Sequence, residues 1–336
     1  MNKRSKNIFS DIALMRPIMI ISIVIGHAFT IYTNSNSWPL PVGCDQINFL
    51  SWVNPVFISV ALQAFVFISG YLFAYKLVNN PSIDTITFIT GKFKRIYIPS
   101  ILFSIFYVFM FCDKSISDHQ TIYEIVNGAG HLWFLPMLFW CYVLGILTKR
   151  LTNSPNLLMI GILTVVSLLS LHVPDFLRIA KTLQYFIYFV LGIWTYKNKT
   201  RMLDYVGKHK YLIYLSIIVL IFLCCSKVYI LKIGNMFPYS LSIVNIALGV
   251  IGSLLFYIII NRILIQHPGI VNFRNDIWYG MYIYHQFIMM YLYYNTSISQ
   301  YLLNYTPYVV LLITLIGSYV LVRISLKTRI GRWLIG

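Results

Sequence analysis

Acidic residues are the scarcest charged class in this chain, which has 9 Asp and Glu against 26 Lys and Arg in 336 residues. Charged residues of all kinds make up 10% of the sequence and apolar residues 59%. A soluble globular domain carries about 25% charged residues. The composition therefore excludes an ordinary soluble domain. No acidic residue lies clearly inside an apolar run, which argues against an ion-coupled transporter built on buried carboxylates.

Cysteine is also scarce. The five cysteines show neither a Cys-x-x-Cys pair nor any other spacing typical of a metal site. We therefore predict no metal cofactor. The net charge of +17 comes from Lys and Arg in short clusters between apolar runs. Because no basic stripe accompanies a soluble fold, we predict no nucleic-acid partner.

Long apolar runs dominate what remains. A helix needs about 20 apolar residues to cross a bilayer, and ten runs approach that length. They cover approximately residues 12–32, 52–78, 96–112, 131–148, 156–172, 179–196, 211–228, 239–260, 277–295 and 307–326. The sequence predicts an all-α, polytopic bundle of about ten transmembrane helices. Because no loop is much longer than about twenty residues, we expect residues 1–336 to form a single transmembrane domain without a separate soluble domain.

The distribution of basic residues predicts the orientation of the chain. Cytoplasmic loops are enriched in Lys and Arg. If the N-terminal tail and every second loop are cytoplasmic, 21 of the 26 basic residues lie on that side. The remaining five are Lys114, Arg178, Lys181, Lys227 and Lys232. We therefore predict that both termini are cytoplasmic.

Ionisable side chains inside the membrane are costly and mark candidate functional sites. Arg16 and His27 lie eleven residues apart in the first apolar run. At about 100° per residue, eleven steps return to within roughly 20° of the starting direction, about 16 Å further along the helix. Both side chains therefore share one face. A snorkelling Arg and a His hydrogen-bonded for structural reasons would explain this pair equally well, and the same structural reading applies to His285 in the ninth run.

Five motifs follow one another along nearly the whole chain. They are Arg16 with His27, Phe67-Ile-Ser-Gly-Tyr-Leu72, Lys92-Phe-Lys-Arg95 before Pro99, His131-Leu-Trp-Phe-Leu135, and Tyr279-Gly-Met-Tyr-Ile-Tyr-His285. Together they resemble the acyltransferase-3 family of bacterial inner-membrane O-acyltransferases. The chain departs from the family pattern at Ala13, where an acidic residue is usual, and at Pro17, where a small residue is common. It also has Lys92 in place of an Arg, which keeps the charge but loses the bidentate guanidinium fork.

The resemblance implies a multi-pass acyltransferase of the bacterial inner membrane. It would transfer an acyl group, most often acetyl, from cytoplasmic acetyl-CoA to a hydroxyl of a surface glycan such as O-antigen, capsule or exopolysaccharide. In that scheme Arg16, Lys92, Lys94 and Arg95 hold the CoA phosphates.

The same scheme assigns the chemistry to the histidines. His27 acts as general base or as transient acyl carrier, assisted by Arg16 and His285. His131 and Trp133 contact the glycan, although helix capping and an interfacial aromatic belt explain those two residues as well. Two other functions stay open at this point, namely an exporter of polysaccharide or lipid-linked sugar and a structural partner in a polysaccharide-synthesis complex.

Overall fold

A computed structural model describes residues 10–33, 39–112, 118–149, 156–233, 239–266 and 277–335. Within these ranges the chain is helical and contains no strand. Eight helical segments are long and apolar enough to cross a membrane: Ile12–Thr30, Val60–Asn79, Thr85–Phe111, Gly130–Leu147, Phe176–Lys208, Tyr211–Ile233, Ser240–Gln266 and Ile298–Ser325. The predicted all-helical, multi-pass membrane fold is therefore confirmed.

The chain divides into two compact units, with the boundary inside one helix. The terminal unit comprises Met1–Ala64 and Tyr211–Gly336. Its helices are α1 (Ser10–Thr30), the first half of α2 (Asn48–Asn79), α9 (Tyr211–Ile233), α10 (Ser240–Gln266), α11 (Ile277–Tyr294), α12 (Ile298–Leu302), α13 (Thr306–Ser325) and α14 (Arg329–Ile335). Helix α1 packs against α10, α11 and α13, and α11 packs against α13. The first helix is thus at the centre of this unit.

The central unit comprises Phe65–Lys210. Its helices are the second half of α2, α3 (Thr85–Lys92), α4 (Ile98–Phe111), α5 (His119–Asn127), α6 (Phe134–Leu147), α7 (Leu157–Leu169) and α8 (Ile179–Lys208). Helix α8 packs against α6 and α7, and α5 packs against α4. Aromatic rings of Phe73, Tyr142 and Phe189 meet in this core at centroid distances of 5.3–6.2 Å.

Two glycines allow α2 and α8 to cross in close contact. A Cβ added at Gly70 would lie 1.9 Å from the carbonyl oxygen of Phe189, and one at Gly192 would lie 2.0 Å from that of Phe67. Neither position has room for a side chain, since the obstructing atoms belong to the backbone. Small residues at helix contacts are the usual means of close packing in membranes. Gly70 of the second motif is therefore explained by packing.

The basic motif lies on a π-helical turn, Phe93–Tyr97, between α3 and α4. In this turn the N–H of Ile98 donates to the carbonyl of Phe93, five residues earlier. Pro99 follows directly in α4. Because proline has no N–H and its ring collides with the carbonyl four residues before it, the wider turn accommodates Pro99 without ending the helix. Turns of this kind inside helices are frequent at functional sites.

Two of the ten predicted spans are not among the eight candidates. The fifth becomes a shorter apolar helix, Leu158–His172. The ninth is helical over Ile277–Tyr294, but its tyrosines, His285 and Gln286 lower its hydropathy. A helix count of ten, the cytoplasmic termini and the single domain stay predictions. The basic residues Lys3, Arg4, Lys6, Lys114, Arg150 and Arg274, used in the orientation argument, lie outside the described residues.

Candidate active site

The terminal unit brings the two membrane-embedded histidines together. His27, in the last turn of α1, has its Nδ1 atom 2.8 Å from Nε2 of His285 on α11. The other ring nitrogen of His285, Nδ1, is 2.6 Å from the backbone carbonyl oxygen of Tyr282. His285 is fully buried, whereas His27 keeps part of its surface accessible. The two residues are 258 positions apart in the sequence, so only tertiary packing brings them into contact.

The two imidazole rings lie edge to edge in nearly the same plane. Their centroids are 5.1 Å apart and their planes differ by 2°. That separation equals the N–N distance plus about one ring radius on each side, which face-to-face stacking would not give. In-plane contact aligns an N–H of one ring with the lone pair of the other, which is the favoured hydrogen-bond geometry. The pair is therefore one hydrogen-bonded unit.

Further contacts hold the last turn of α1 in place. The Tyr293 hydroxyl, on α11, donates to the carbonyl oxygen of Ala28 at 2.8 Å. This satisfies one of the carbonyls that a helix end leaves without an internal partner. On another side, Asn54 Nδ2 donates to Thr30 Oγ1 at 2.9 Å. A Cβ at Gly26 would lie 2.3 Å from Ile58, so the glycine beside His27 permits close approach of α2.

Arg16 lies on the same continuous helix as His27, with no break between them. Its side chain is half-buried. Pro17, the residue after it, lies inside α1, where it lacks the N–H that would otherwise bond to the carbonyl of Ala13. Arg16 and His27 therefore occupy the positions on one helix that the spacing argument requires, while their chemical roles stay predictions.

The acyltransferase-domain model of the acyltransferase-3 family matches residues 9–323, nearly the whole chain. The chain belongs to this family. Neither the curated proteins nor the solved structures gave a match. The predicted family is confirmed, and this acyltransferase-3 protein is a membrane acyltransferase.

The central unit of this acyltransferase holds the other predicted cations. Lys92 Nζ lies 3.6 Å from the ring centroid of Tyr142 and 5.7 Å from that of Phe88. Lys76 Nζ lies 5.0 Å from the same Phe88 ring. Such contacts use the face of the ring and contribute about 0.5–2 kcal/mol each. Lys92 is thereby held in place, whereas Lys94 and Arg95 extend into exposed positions on the π-helical turn.

Sequence reasoning missed a cleft in the central unit. It has a volume of about 210 Å³, and its lining includes Phe73, Leu77 and Ile193 together with Lys149 and Lys197. Both lysines belong to the basic residues predicted to lie on the cytoplasmic side, but the sequence around them carries no functional signal beyond their charge. Their common cleft depends on the packing of α2, α6 and α8, which no local pattern reveals.

His131 and Trp133 lie in a short 3-10 helix, Gly130–Trp133, ahead of α6. His131 is 3% exposed and its ring centroid is 6.5 Å from that of Tyr107. Trp133 is half-buried and packs edge-on against Tyr185 at 5.9 Å. The Trp133 side chain makes no capping hydrogen bond to α6. Contact of these residues with the acceptor stays a prediction.

Arg178, one of the five basic residues outside the cytoplasmic set, has a structural role. Its Nη1 pairs with Asp175 at 2.8 Å, and its Nε donates to the carbonyl oxygen of Asn127 at 2.9 Å. Arg178 adopts a left-handed conformation with φ of 58°. These contacts tie the end of α5 to the start of α8.

No group of three or more His, Cys, Asp or Glu side chains suitable for a metal ion occurs among the described residues. The absence of a metal cofactor stays a prediction.

Proposed function

We propose that this acyltransferase moves an acyl group, acetyl in the first instance, from a cytoplasmic acyl-CoA to a hydroxyl of a surface glycan. It would do so in the bacterial inner membrane, on O-antigen, capsule or exopolysaccharide. The observation that supports this proposal most is the His27–His285 hydrogen bond inside the terminal unit. Imidazole is the common general base of proteins because its ordinary pKa lies close to neutrality.

In the first of two routes, His27 acts as general base. Its unpaired ring nitrogen takes the proton of the acceptor hydroxyl while the hydroxyl oxygen attacks the thioester carbonyl. The C–S bond then breaks, and the imidazolium gives its proton to the leaving CoA sulfur. The products are a glycan ester and free CoA thiol, so every proton is accounted for.

In the second route, His27 acts as acyl carrier. Its ring nitrogen attacks the thioester, the CoA thiolate leaves, and the acceptor hydroxyl then takes the acyl group from the imidazole while its proton goes to the thiolate. Both routes require one ring nitrogen of His27 with an available lone pair. Among the described residues, His27 Nε2 has no hydrogen-bond partner.

The donor side of the proposal depends on cations. The phosphates of CoA are polyanionic and stay outside the apolar core of the membrane, so they need Lys and Arg partners with charge-assisted hydrogen bonds. Arg16 in the terminal unit and Lys92, Lys94 and Arg95 in the central unit are the proposed contacts. For the glycan, His131 and Trp133 remain the proposed contacts.

The deciding experiment compares the surface polysaccharide of cells with and without this protein by proton and carbon NMR. We expect an ester acyl signal only in cells that carry it, and the shifted sugar resonances identify the hydroxyl. A His27→Ala variant at equal membrane abundance should lose the signal. His209→Ala, which alters a half-buried histidine at the end of α8, should keep it. Movement of unmodified glycan without any ester would instead establish the exporter function.

A further inference from the structure

The hydrogen bonds of His285 determine which nitrogen of each imidazole carries a proton. The Tyr282 carbonyl oxygen, 2.6 Å from His285 Nδ1, can only accept a hydrogen bond. His285 Nδ1 must therefore carry the hydrogen. In a neutral imidazole one nitrogen is a donor and the other an acceptor. His285 Nε2 therefore presents a lone pair.

That lone pair faces His27. Since His285 Nε2 accepts, the atom 2.8 Å away, His27 Nδ1, must donate. A neutral His27 with its hydrogen on Nδ1 has its own lone pair on Nε2. The backbone carbonyl of Tyr282 thus sets the protonation of two rings in succession, and the nearly coplanar arrangement of the rings permits no other neutral pattern with both bonds intact.

We propose that His285 is a positioning residue that holds His27 in its Nδ1–H form and so makes Nε2 of His27 the reacting atom. The role of His27 Nε2 as the reacting atom rests on the proposed function. The assignment of hydrogens to the ring nitrogens does not depend on it. It also removes His285 from direct chemistry, because both of its ring nitrogens are engaged and its side chain is fully buried.

The proposed pattern explains the placement of the pair. His27 is accessible and its Nε2 has no partner among the described residues, whereas His285 lies behind it in the protein interior. A hydrogen bond to the nitrogen that does not react fixes the ring orientation and stabilises the imidazolium when it forms, as the buried carboxylate does in serine hydrolases. In this protein the neutral His285 and the backbone carbonyl of Tyr282 have the role of that carboxylate.

Two near-isosteric variants separate the two hydrogen bonds of His285. The side-chain amide of Asn reaches the position of Nδ1, so His285→Asn keeps a donor for the Tyr282 carbonyl but has no group near His27. The longer Gln reaches the position of Nε2, so His285→Gln keeps an acceptor for His27 Nδ1. We expect Gln to retain activity within about tenfold of wild type and Asn to lose about 10²–10⁴-fold in kcat, with the KM for the acyl donor unchanged in both. Equal loss in the two variants, at equal abundance and equal elution from gel filtration, would contradict the positioning role.

Nitrogen-15 NMR of histidine-labelled wild-type protein in nanodiscs measures the hydrogens directly, and His27→Gln and His285→Gln spectra assign the signals. We expect His27 protonated at Nδ1 and bare at Nε2, His285 protonated at Nδ1, and a scalar coupling across the hydrogen bond between the two rings. A His27 protonated at Nε2 would overturn the inference even in an active enzyme. The expected spectrum in a protein without transferase activity would leave the hydrogen pattern standing and refute the proposed function alone.

Discussion

Replacing Gly192 with alanine tests the helix crossing at the centre of the central unit. The added methyl group would lie 2.0 Å from the Phe67 carbonyl oxygen and 2.7 Å from the Tyr71 nitrogen. Because both obstructing atoms are backbone, no rotamer change relieves the contact, and α2 and α8 must move apart. The reciprocal change, Gly70→Ala, meets the Phe189 carbonyl at 1.9 Å.

The cost of each substitution is that of overpacking a close-packed core, about 1–3 kcal/mol. At about 1.4 kcal/mol per factor of ten, this corresponds to roughly a 5- to 150-fold change in the folding equilibrium. The two glycines flank the same crossing, so separation of the helices by one methyl group also makes room for the other. We therefore expect the double variant to cost less than the sum of the two single variants.

Thermal unfolding in detergent, followed by tryptophan fluorescence, measures these differences. The matched control is Gly207→Ala on the same helix α8, where an added Cβ meets nothing within 4 Å. Alanine there should leave stability unchanged or raise it slightly, because glycine is the poorer helix former. A Gly192→Ala protein as stable as the Gly207→Ala protein would refute the close crossing of α2 and α8.

Other predictions concern single contacts. Asp84 accepts hydrogen bonds from the backbone and hydroxyl of Thr87, which hold its pKa below the ordinary 3.8. This stabilisation of α3 is therefore complete above the unfolded-state pKa and disappears as pH falls through the lowered value. Asp84→Ala should speed amide hydrogen exchange in Thr85–Lys92 at neutral pH but not below the lowered pKa. For Lys92, Gln should raise the KM for acyl-CoA several-fold while Arg does not, with the exposed Lys210→Gln as control; an unchanged KM would remove Lys92 from donor binding. For Arg178, Gln should cost about 1–3 kcal/mol, since two charge-assisted hydrogen bonds are lost, and equal melting temperatures would contradict its structural role.

The helices around the site follow closely from the apolar runs. The first run predicted residues 12–32 and the helix covers Ser10–Thr30, while the ninth predicted 277–295 and the helix covers Ile277–Tyr294. Such agreement is expected, because a chain in lipid must satisfy its backbone hydrogen bonds within each helix. The number of spans stays a prediction, since α11 is rich in tyrosine and holds a histidine and a glutamine. Polar residues of that kind are tolerated where a helix packs inside protein, as α11 does against α1 and α13.

The candidate site was only half predictable. Each of His27 and His285 stood out as an ionisable residue in an apolar run, and such residues usually pair with one another. The contact between the two histidines was nevertheless not predicted, and neither were the choice of ring nitrogens and the role of the Tyr282 carbonyl. Those depend on the angle and register between α1 and α11. The π-helical turn beneath the basic motif was likewise not predicted, although Pro99 was its visible cause.

The most direct test of the account is transfer of radiolabelled acetyl from acetyl-CoA by the purified protein in proteoliposomes that contain the glycan acceptor. We expect label on the glycan with wild-type protein and with His285→Gln, and none above background with His27→Gln, which leaves no imidazole at that position. Full transfer by a folded His27→Gln protein would contradict the assignment of His27, and no transfer by the wild type with any acyl-CoA would contradict the proposed reaction.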